Sequence, residues 1–187
     1  FYAFSVFLVP MQDELGWSTP EITGAYSLAL VVAMLLSPAV GRWLDRDGAR
    51  VAMTLGSILG TVLLLGWSRV ESLPLFYLLW AGLGVALALT LYEPAFAVAS
   101  TWFVRGRSKA MLALTTVAGL ASTIFLPLAG WLTERLGWRE ALLALAVILG
   151  VMTIPAHALV LRRRPEDLGL LPDGELPGPE QAAPAAC

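Results

Sequence analysis

One carboxylate stands alone in a long apolar part of the chain and is the first candidate for chemistry. It belongs to Glu93, which is close in sequence to Thr90, Tyr92 and Pro94. A charge in apolar surroundings is costly, so such a residue usually faces a water-filled cavity or a polar partner. Pro94 removes a backbone N–H donor and is expected to break or kink a helix there. We predict a site for a proton or a polar ligand at these four residues; the alternative is a structural carboxylate hydrogen-bonded between helices.

A second group of charged residues forms a short loop between two apolar stretches. Gly41 is expected to end the preceding helix and to let another helix approach closely, and Gly48 permits a turn that other residues resist. Asp45 has the charge needed to cap the N-terminus of another helix, and Arg46 and Arg50 are expected to pair with carboxylates. The alternative is a basic turn that does no more than fix the orientation of the chain.

Other kinds of chemistry have no matching residue pattern in this sequence. We find no metal-ligand cluster, no nucleophile beside a base and no glycine-rich phosphate loop, so we predict no cofactor, no metal and no enzyme. No basic run suggests binding to nucleic acid, and the lone Cys187 excludes a disulfide framework. His157 lies near a basic cluster, and a place at the membrane interface is favoured over a role in proton transfer.

The composition around these groups indicates that the chain folds in a lipid bilayer. Hydrophobic residues make up 58% of the 187 residues and charged residues only 14%, and the mean hydropathy is +0.75. Soluble domains carry about 25% charged residues. Stretches without charge recur at lengths near the roughly 20 residues that a helix needs to span the hydrocarbon core. The predicted spans are about 1–12 (partial), 20–43, 51–68, 74–103, 109–133 and 140–161.

These spans predict an all-α fold class, a polytopic bundle of membrane helices over residues 1–171. A disordered cytoplasmic linker is expected at 172–187, because this segment is rich in Pro, Ala, Gly and Glu and cannot bury a core. The first predicted span is too short to cross the bilayer, and the chain starts at Phe1 rather than at Met. We therefore expect a fragment whose first helix is truncated.

Small residues recur at helical spacing in two of the spans. The third span carries Gly56 and Gly60, and the fifth carries Thr115, Gly119 and Ser122. Helices without bulky side chains approach each other closely, so both stripes predict packing against neighbouring helices and require no ligand.

Lysine and arginine are unevenly divided between the loops, and this bias predicts the orientation of the chain. Nine of the 12 basic residues lie at 41–50, at 104–109 and just after the last span, and the other three lie in the alternate connections. Basic residues favour the cytoplasmic side of a membrane. We expect a multi-pass protein of the cell (inner) membrane in which loops 41–50 and 104–109 and the C-terminal tail are cytoplasmic.

The charged loop resembles a family signature. Its sequence Gly41-Arg-Trp-Leu-Asp45-Arg46-Asp47-Gly48-Ala49-Arg50 follows the pattern Gly-x-x-x-Asp-Arg-x-Gly-Arg-Arg/Lys of the major facilitator superfamily, with Ala49 in place of a basic residue. The segments 127–139 and 164–174 look like those of bacterial monocarboxylate-transporter-like members. The resemblance implies the N-terminal six-helix half of a twelve-helix fold, in which the charged loop gates the conformational change by joining the two halves on the inner side.

The resemblance also implies a function, which is secondary active transport of a small solute by alternating access, coupled to protons as in a symporter. A monocarboxylate or related organic anion is the first substrate class to test, and Glu93 is then a proton-coupling or substrate residue. The expected partners are the solute, protons, the lipid bilayer and a C-terminal half outside this chain. The alternative is a non-transporting receptor or accessory protein of the same fold; a membrane enzyme would need polar catalytic clusters, which the sequence does not contain.

Overall fold

The computed structural model describes residues 3–175, and this part of the chain has the all-α fold class expected from the sequence. A π-helical turn at Ala156–Val160 follows the last α-helix, and short 3-10 helices follow at Pro165–Leu168 and Pro172–Gly174. The α-helices are α1 (Phe4–Leu15), α2 (Thr19–Asp47), α3 (Ala49–Trp67), α4 (Leu73–Thr90), α5 (Tyr92–Trp102), α6 (Arg107–Leu136) and α7 (Trp138–Pro155).

Five helical segments are long and apolar enough to cross a membrane. They are α2, α3, the pair α4 and α5 counted together, α6, and α7 with its π-helical turn. Large apolar side chains on their outer faces are exposed, for example Leu35, Leu112 and Val151. Such a surface is unfavourable in water but matches lipid tails, which are as apolar as these side chains. The chain is therefore a multi-pass membrane protein.

The larger of two packed cores is aromatic and joins α1, α3 and α4. The rings of Trp67 and Trp80 meet edge to face with centroids 5.0 Å apart, and Phe76 is 6.0 Å from Trp80. Phe4 lies 4.8 Å from Trp80 and Phe7 lies 5.6 Å from Trp67. Aromatic pairs of this kind contribute about 0.5–1.5 kcal/mol beyond the area they bury. The short helix α1 is thereby fixed against the longer helices.

Close packing of α3 against α4 depends on the glycines predicted for it. A Cβ added at Gly56 would lie 2.6 Å from Thr90 Cγ2, and one at Gly60 would lie 3.6 Å from the Ala86 Cβ. The prediction for the third span is thus confirmed. The stripe on α6 behaves differently, because a Cβ at Gly119 would meet nothing within 4 Å in the described part of the chain. This face of α6 has no packed neighbour among residues 3–175.

One arginine joins three helix ends on the side of the bundle opposite the 41–50 loop. Arg139 Nε donates to Glu14 Oε1 at 2.8 Å, which connects the start of α7 to the end of α1. The same guanidinium donates to the carbonyls of Ser68 and Val70 at 2.9 and 3.0 Å, in the connection between α3 and α4. Each guanidinium nitrogen therefore donates one hydrogen bond, and the side chain links the ends of these helices.

The segment after the last span is ordered further than the sequence predicts. A disordered linker is expected from residue 172, yet Pro172–Gly174 form a 3-10 turn in which Asp173 accepts backbone hydrogen bonds from residues 104–106. These bonds satisfy backbone N–H groups in the turn that precedes α6, and they give a segment rich in Pro and Gly a defined place. The rest of the predicted linker, residues 176–187, lies outside the described residues.

Candidate functional site

The fourth predicted span is divided into α4 and α5 at Leu91, close to the isolated carboxylate. Leu91 has φ −80° and ψ −144°, which is not a helical conformation. Pro94 lies in the first turn of α5, where its missing N–H costs no helical hydrogen bond. The break expected from the proline therefore falls about one turn before it, and α5 begins at Tyr92 as a separate short helix.

Glu93 lies in this first turn of α5 and faces α2 across a cleft. Its Oε1 is 3.3 Å from Ser37 Oγ, which is also 3.1 Å from the Ala33 carbonyl oxygen, so the one hydroxyl proton of Ser37 has two possible acceptors. The cleft measures about 380 Å³, and among residues 3–175 Glu93 is the only charged residue that lines it. A carboxylate in an open, mainly apolar cleft can exchange a proton with water and can contact a polar ligand.

Two residues of the predicted site turn away from this cleft. The Thr90 hydroxyl donates to the Ala86 carbonyl at 2.7 Å, and the Thr90 methyl group lies against α3 at Gly56. The side chain of Pro94 is fully buried. Thr90 and Pro94 therefore contribute to packing and to the helix break rather than to the lining of the cleft.

Tyr92, the other residue of the predicted site, is not among the described residues that line this cleft. The Tyr92 ring stacks on Phe96 one turn further along α5, with centroids 5.7 Å apart.

Ser37 was not singled out from the sequence, although it precedes Pro38 in the middle of an uncharged stretch, and that placement is the signal that could have identified it. The structure brings Ser37, rather than Thr90, to Glu93.

The charged loop forms a tight connection between α2 and α3, and Gly48 is its turning point. Gly48 has φ +79°, a conformation that residues with a side chain rarely adopt. A Cβ at this position would also lie 2.6 Å from Cγ of Arg163, a residue that follows the last span. The predicted turn is confirmed, and its glycine also provides the space for a side chain from the C-terminal segment.

Gly41, in contrast, does not end α2. The helix continues through it to Asp47, because the residues after Gly41 can all be helical and the first left-handed residue is Gly48. A Cβ at Gly41 would meet nothing within 4 Å in the described part of the chain. The expectation that Gly41 terminates the helix is therefore wrong, and no helix among residues 3–175 approaches it closely.

Of the two arginines of the signature, Arg46 lies beside a carboxylate as predicted, whereas Arg50 binds a backbone carbonyl instead. Arg50 Nε donates to the Ala158 carbonyl at 2.8 Å and so attaches the start of α3 to the π-helical turn. Arg46 is 86% exposed and lies 4.0 Å from the carboxylate of its neighbour Asp47, while its backbone carbonyl accepts a hydrogen bond from Arg163. An exposed ion pair of this length contributes little stability. Within residues 3–175, these arginines mainly connect the loop to the C-terminal segment.

Asp45 lines a second, larger cleft on the same side of the bundle. The cleft measures about 580 Å³, and the C-terminal segment closes one side of it with Arg163, Arg164 and Glu166. Asp45 is exposed and makes no hydrogen bond or ion pair with another described residue. Its carboxylate is therefore free to bind a donor from outside residues 3–175.

The structure keeps the two predicted groups apart and connects them through α5. Glu93 lies at the start of this helix, beside the smaller cleft. In its later turns, Ala97, Val98, Ser100 and Thr101 line the larger cleft, next to Asp45 and Gly48. A displacement of α5 would therefore change both clefts at once.

His157 lies in the π-helical turn and faces α3. Its Nδ1 is 2.7 Å from the hydroxyl oxygen of Ser57, which is a buried residue. Partial burial and this hydrogen bond give His157 a role in joining α3 to the end of the last span. The contact involves neither of the two clefts.

Comparison with known proteins gives a consistent assignment. The family model of the Major Facilitator Superfamily matches residues 1–184. The chain is 29% identical over 158 residues to the oxalate:formate antiporter of Oxalobacter formigenes, an alignment that covers 82% of this chain and 36% of that protein. It is 35% identical over 150 residues to monocarboxylate transporter 13 of Bos taurus, covering 78% of this chain and 34% of the relative.

A third relative is the fujikurins efflux protein of Gibberella fujikuroi, which is 32% identical over 174 residues, 91% of this chain and 36% of that protein. The chain thus spans about a third of the length of the curated relatives it matches.

The match of the family model to almost the whole chain agrees with the apolar helices, the broken fourth span and the glycine–aspartate loop. The chain therefore belongs to the Major Facilitator Superfamily of membrane transporters, as a monocarboxylate-transporter-like member.

Proposed function

We propose that the protein containing this chain is a secondary active transporter that moves a small solute by alternating access and couples this movement to protons. The observation that carries the proposal is the position of Glu93, at a helix break and on an open cleft. Transporters often build substrate and ion sites from discontinuous helices of this kind. Membership of the family supports transport rather than catalysis of a chemical reaction.

A small organic anion is the substrate class that we propose. Support comes from the relatives, whose names refer to monocarboxylates and to oxalate and formate. A protonated Glu93 would donate a hydrogen bond to a substrate carboxylate, whereas an ionised Glu93 would repel it. The binding of a proton and the binding of an anion would then favour each other, which is the thermodynamic requirement of a symporter.

The remaining part of the site is proposed to come from a C-terminal half. No basic residue lines the cleft beside Glu93, so a cation that neutralises an anionic substrate would have to lie outside the lining described above. The small-residue face of α6 around Gly119 is uncovered, and Asp45 has no described partner. Both features are consistent with a second helix bundle packed against this one.

Transport by the intact protein is the direct test. We expect purified intact protein in liposomes to take up labelled formate, oxalate or lactate when the outside is more acidic, and we expect a proton ionophore to abolish accumulation. Residues 1–187 alone, inserted in the same liposomes, should show no uptake, because they supply only one side of the proposed cavity. Binding of the anion by the intact protein without any uptake would instead favour a receptor.

The proposed orientation in the cell membrane has its own test. Ser72 and Ser108 are both exposed serines at helix starts, on opposite sides of the bundle. After replacement of Cys187, we expect Ser108→Cys to react with a membrane-impermeant thiol reagent only from the cytoplasmic side and Ser72→Cys only from the outside. The reverse result would place the 41–50 loop outside the cell and remove the proposed gating role of that loop.

A further inference from the structure

The C-terminal strap, defined here as residues 161–175, runs beneath the bundle from the end of the last span. Near its start, Arg163 packs on Gly48 and donates a hydrogen bond to the Arg46 carbonyl, so the strap touches the signature loop. Near its end, Asp173 reaches the turn that joins α5 to α6. The strap thus connects two loops that are far apart in sequence.

Both carboxylate oxygens of Asp173 accept hydrogen bonds from that turn. Its Oδ2 accepts hydrogen bonds from the backbone N–H groups of Val104 at 3.2 Å and Arg105 at 2.9 Å, and its Oδ1 accepts one from Gly106 at 3.0 Å. Gly106 is the N-cap residue of α6, and Val104 and Arg105 precede it, so all three donors lie in the turn just before the helix. A carboxylate at a helix N-terminus is favoured by the helix dipole as well as by the hydrogen bonds.

The backbone at Asp173 and Gly174 has an uncommon conformation, with positive φ at both residues. Asp173 has φ +64° and is the only non-glycine residue with positive φ in the described part of the chain, and Gly174 continues the turn with φ +75°. Aspartate tolerates this conformation better than most residues, although it still costs energy. The N–H groups of Arg105 and then Gly106 lower the pKa of the Asp173 carboxyl, so the charge is retained at neutral pH.

The turn bound by Asp173 is the cytoplasmic attachment of α5. At its other end, α5 is separated from α4 by the break at Leu91, and along its later turns it packs on α2 and α3 through Ala97 and Val98 and borders the 580 Å³ cleft. Arg107, the first residue of α6, donates to the Ser100 carbonyl in the last turn of α5 at 3.1 Å. The position of α5, and of Glu93 at its start, therefore depends on how firmly this turn is held.

We propose that Asp173 is a positioning residue, whose carboxylate caps the α5–α6 turn and thereby restrains α5, the helix that carries Glu93. The ion pair between Arg105 and Glu175, at 2.6 Å, lies beside this cap, but both side chains are largely exposed and the pair contributes little. Through this cap, a displacement of the strap would move the turn at residues 104–106. The inference concerns a restraint within this chain and does not depend on what the protein transports.

Hydrogen–deuterium exchange of the intact protein tests the cap. Asp173→Asn keeps the shape and the tolerance for positive φ but loses the charge and one acceptor oxygen. We expect amide exchange at residues 104–106 and in the later turns of α5 to become faster, on the order of fivefold, as for the net loss of one hydrogen bond. The matched control is Asp167→Asn, because Asp167 accepts a hydrogen bond only from Arg164 within the same strap.

The outcomes separate a local restraint from general instability. Faster exchange confined to the turn and to α5, in Asp173→Asn and not in Asp167→Asn, supports the proposal. Equal exchange in the two variants overturns the cap, and faster exchange at 104–106 with an unchanged α5 overturns the restraint on that helix. If exchange also rises in α2 and α3, Asp173 contributes to general stability and the proposal fails. If the Asn variant does not insert into the membrane, the test is repeated with Asp173→Gly, because glycine readily adopts φ +64°. None of these exchange measurements depends on transport, so a result that overturns the cap would leave the proposed transport function unaffected.

Discussion

Replacement of Glu93 by Gln in the intact protein is expected to abolish solute accumulation driven by a pH gradient while leaving solute exchange without a gradient in place. Gln keeps the side-chain shape and an acceptor oxygen for the Ser37 hydroxyl, which lies 3.3 Å from Glu93 Oε1. It cannot bind and release a proton. A carrier that no longer transports the proton can still exchange solute for solute, so the two assays separate coupling from binding.

Both assays should be made on one purified preparation, with Glu140→Gln as the control. Glu140 is an exposed carboxylate in the first turn of α7, at the end of the bundle opposite the charged loop and away from both clefts. We expect this control to behave like the unsubstituted protein in both assays. Undiminished accumulation in Glu93→Gln would show that Glu93 is not the coupling group. A parallel fall in both assays, with a lower yield of folded protein, would make it a structural hydrogen-bond acceptor.

The helices and the environment of this protein are predictable from the sequence because the bilayer imposes a simple rule. A segment that crosses hydrocarbon must satisfy its backbone internally and must be apolar on its lipid face, so charge-free stretches reveal it. The end of α2 and the start of α3 lie on either side of Gly48, whose positive φ is a conformation that glycine adopts readily. The same reasoning located Pro94 and the break of the fourth span, because a proline acts on the backbone within one turn.

Contacts between distant parts of the chain could not be predicted in this way. Ser37 and Glu93 lie on different helices, and the charge pattern contains no information about which hydroxyl approaches the carboxylate. Asp173 belongs to a segment whose composition predicts disorder, and that composition contains no information about its hydrogen bonds to residues 104–106. Gly41 was expected to end a helix because it begins a family pattern, whereas the local backbone preferences allow the helix to continue.

The position of α5 provides the link between the two functional proposals. Its first turn places Glu93 on the smaller cleft, and four residues in its later turns line the larger cleft with Asp45. A partner that enters the larger cleft would contact α5 as well as the signature loop. We therefore expect a change at the 41–50 end of the bundle to reach the carboxylate through this short helix, without a change in the aromatic core.

Asp45→Asn in the intact protein is expected to shift the balance between inward-facing and outward-facing states and to lower the rate of transport, while membrane insertion stays normal. Asp45 has no partner among the described residues, and we propose that it caps a helix of the C-terminal half when the cytoplasmic side is closed. A charge at a helix N-terminus contributes about 0.3–1 kcal/mol, and up to about 2 kcal/mol when partly buried. Since about 1.4 kcal/mol changes a population tenfold, losing the charge should raise the inward-facing fraction severalfold.

The matched control is Asp47→Asn, which removes the same charge two residues further along the loop. Asp47 lies 4.0 Å from the exposed Arg46 and is outside the glycine–aspartate spacing of the signature, so we expect little change in either the rate or the state distribution. The distribution can be measured from distances between spin labels on the cytoplasmic ends of the two halves. An Asp45→Asn protein with the distances and the transport rate of the Asp47→Asn control would show that the loop does not gate. The nine basic residues on that side would then explain the loop through its predicted cytoplasmic orientation alone, without any contact to a second half.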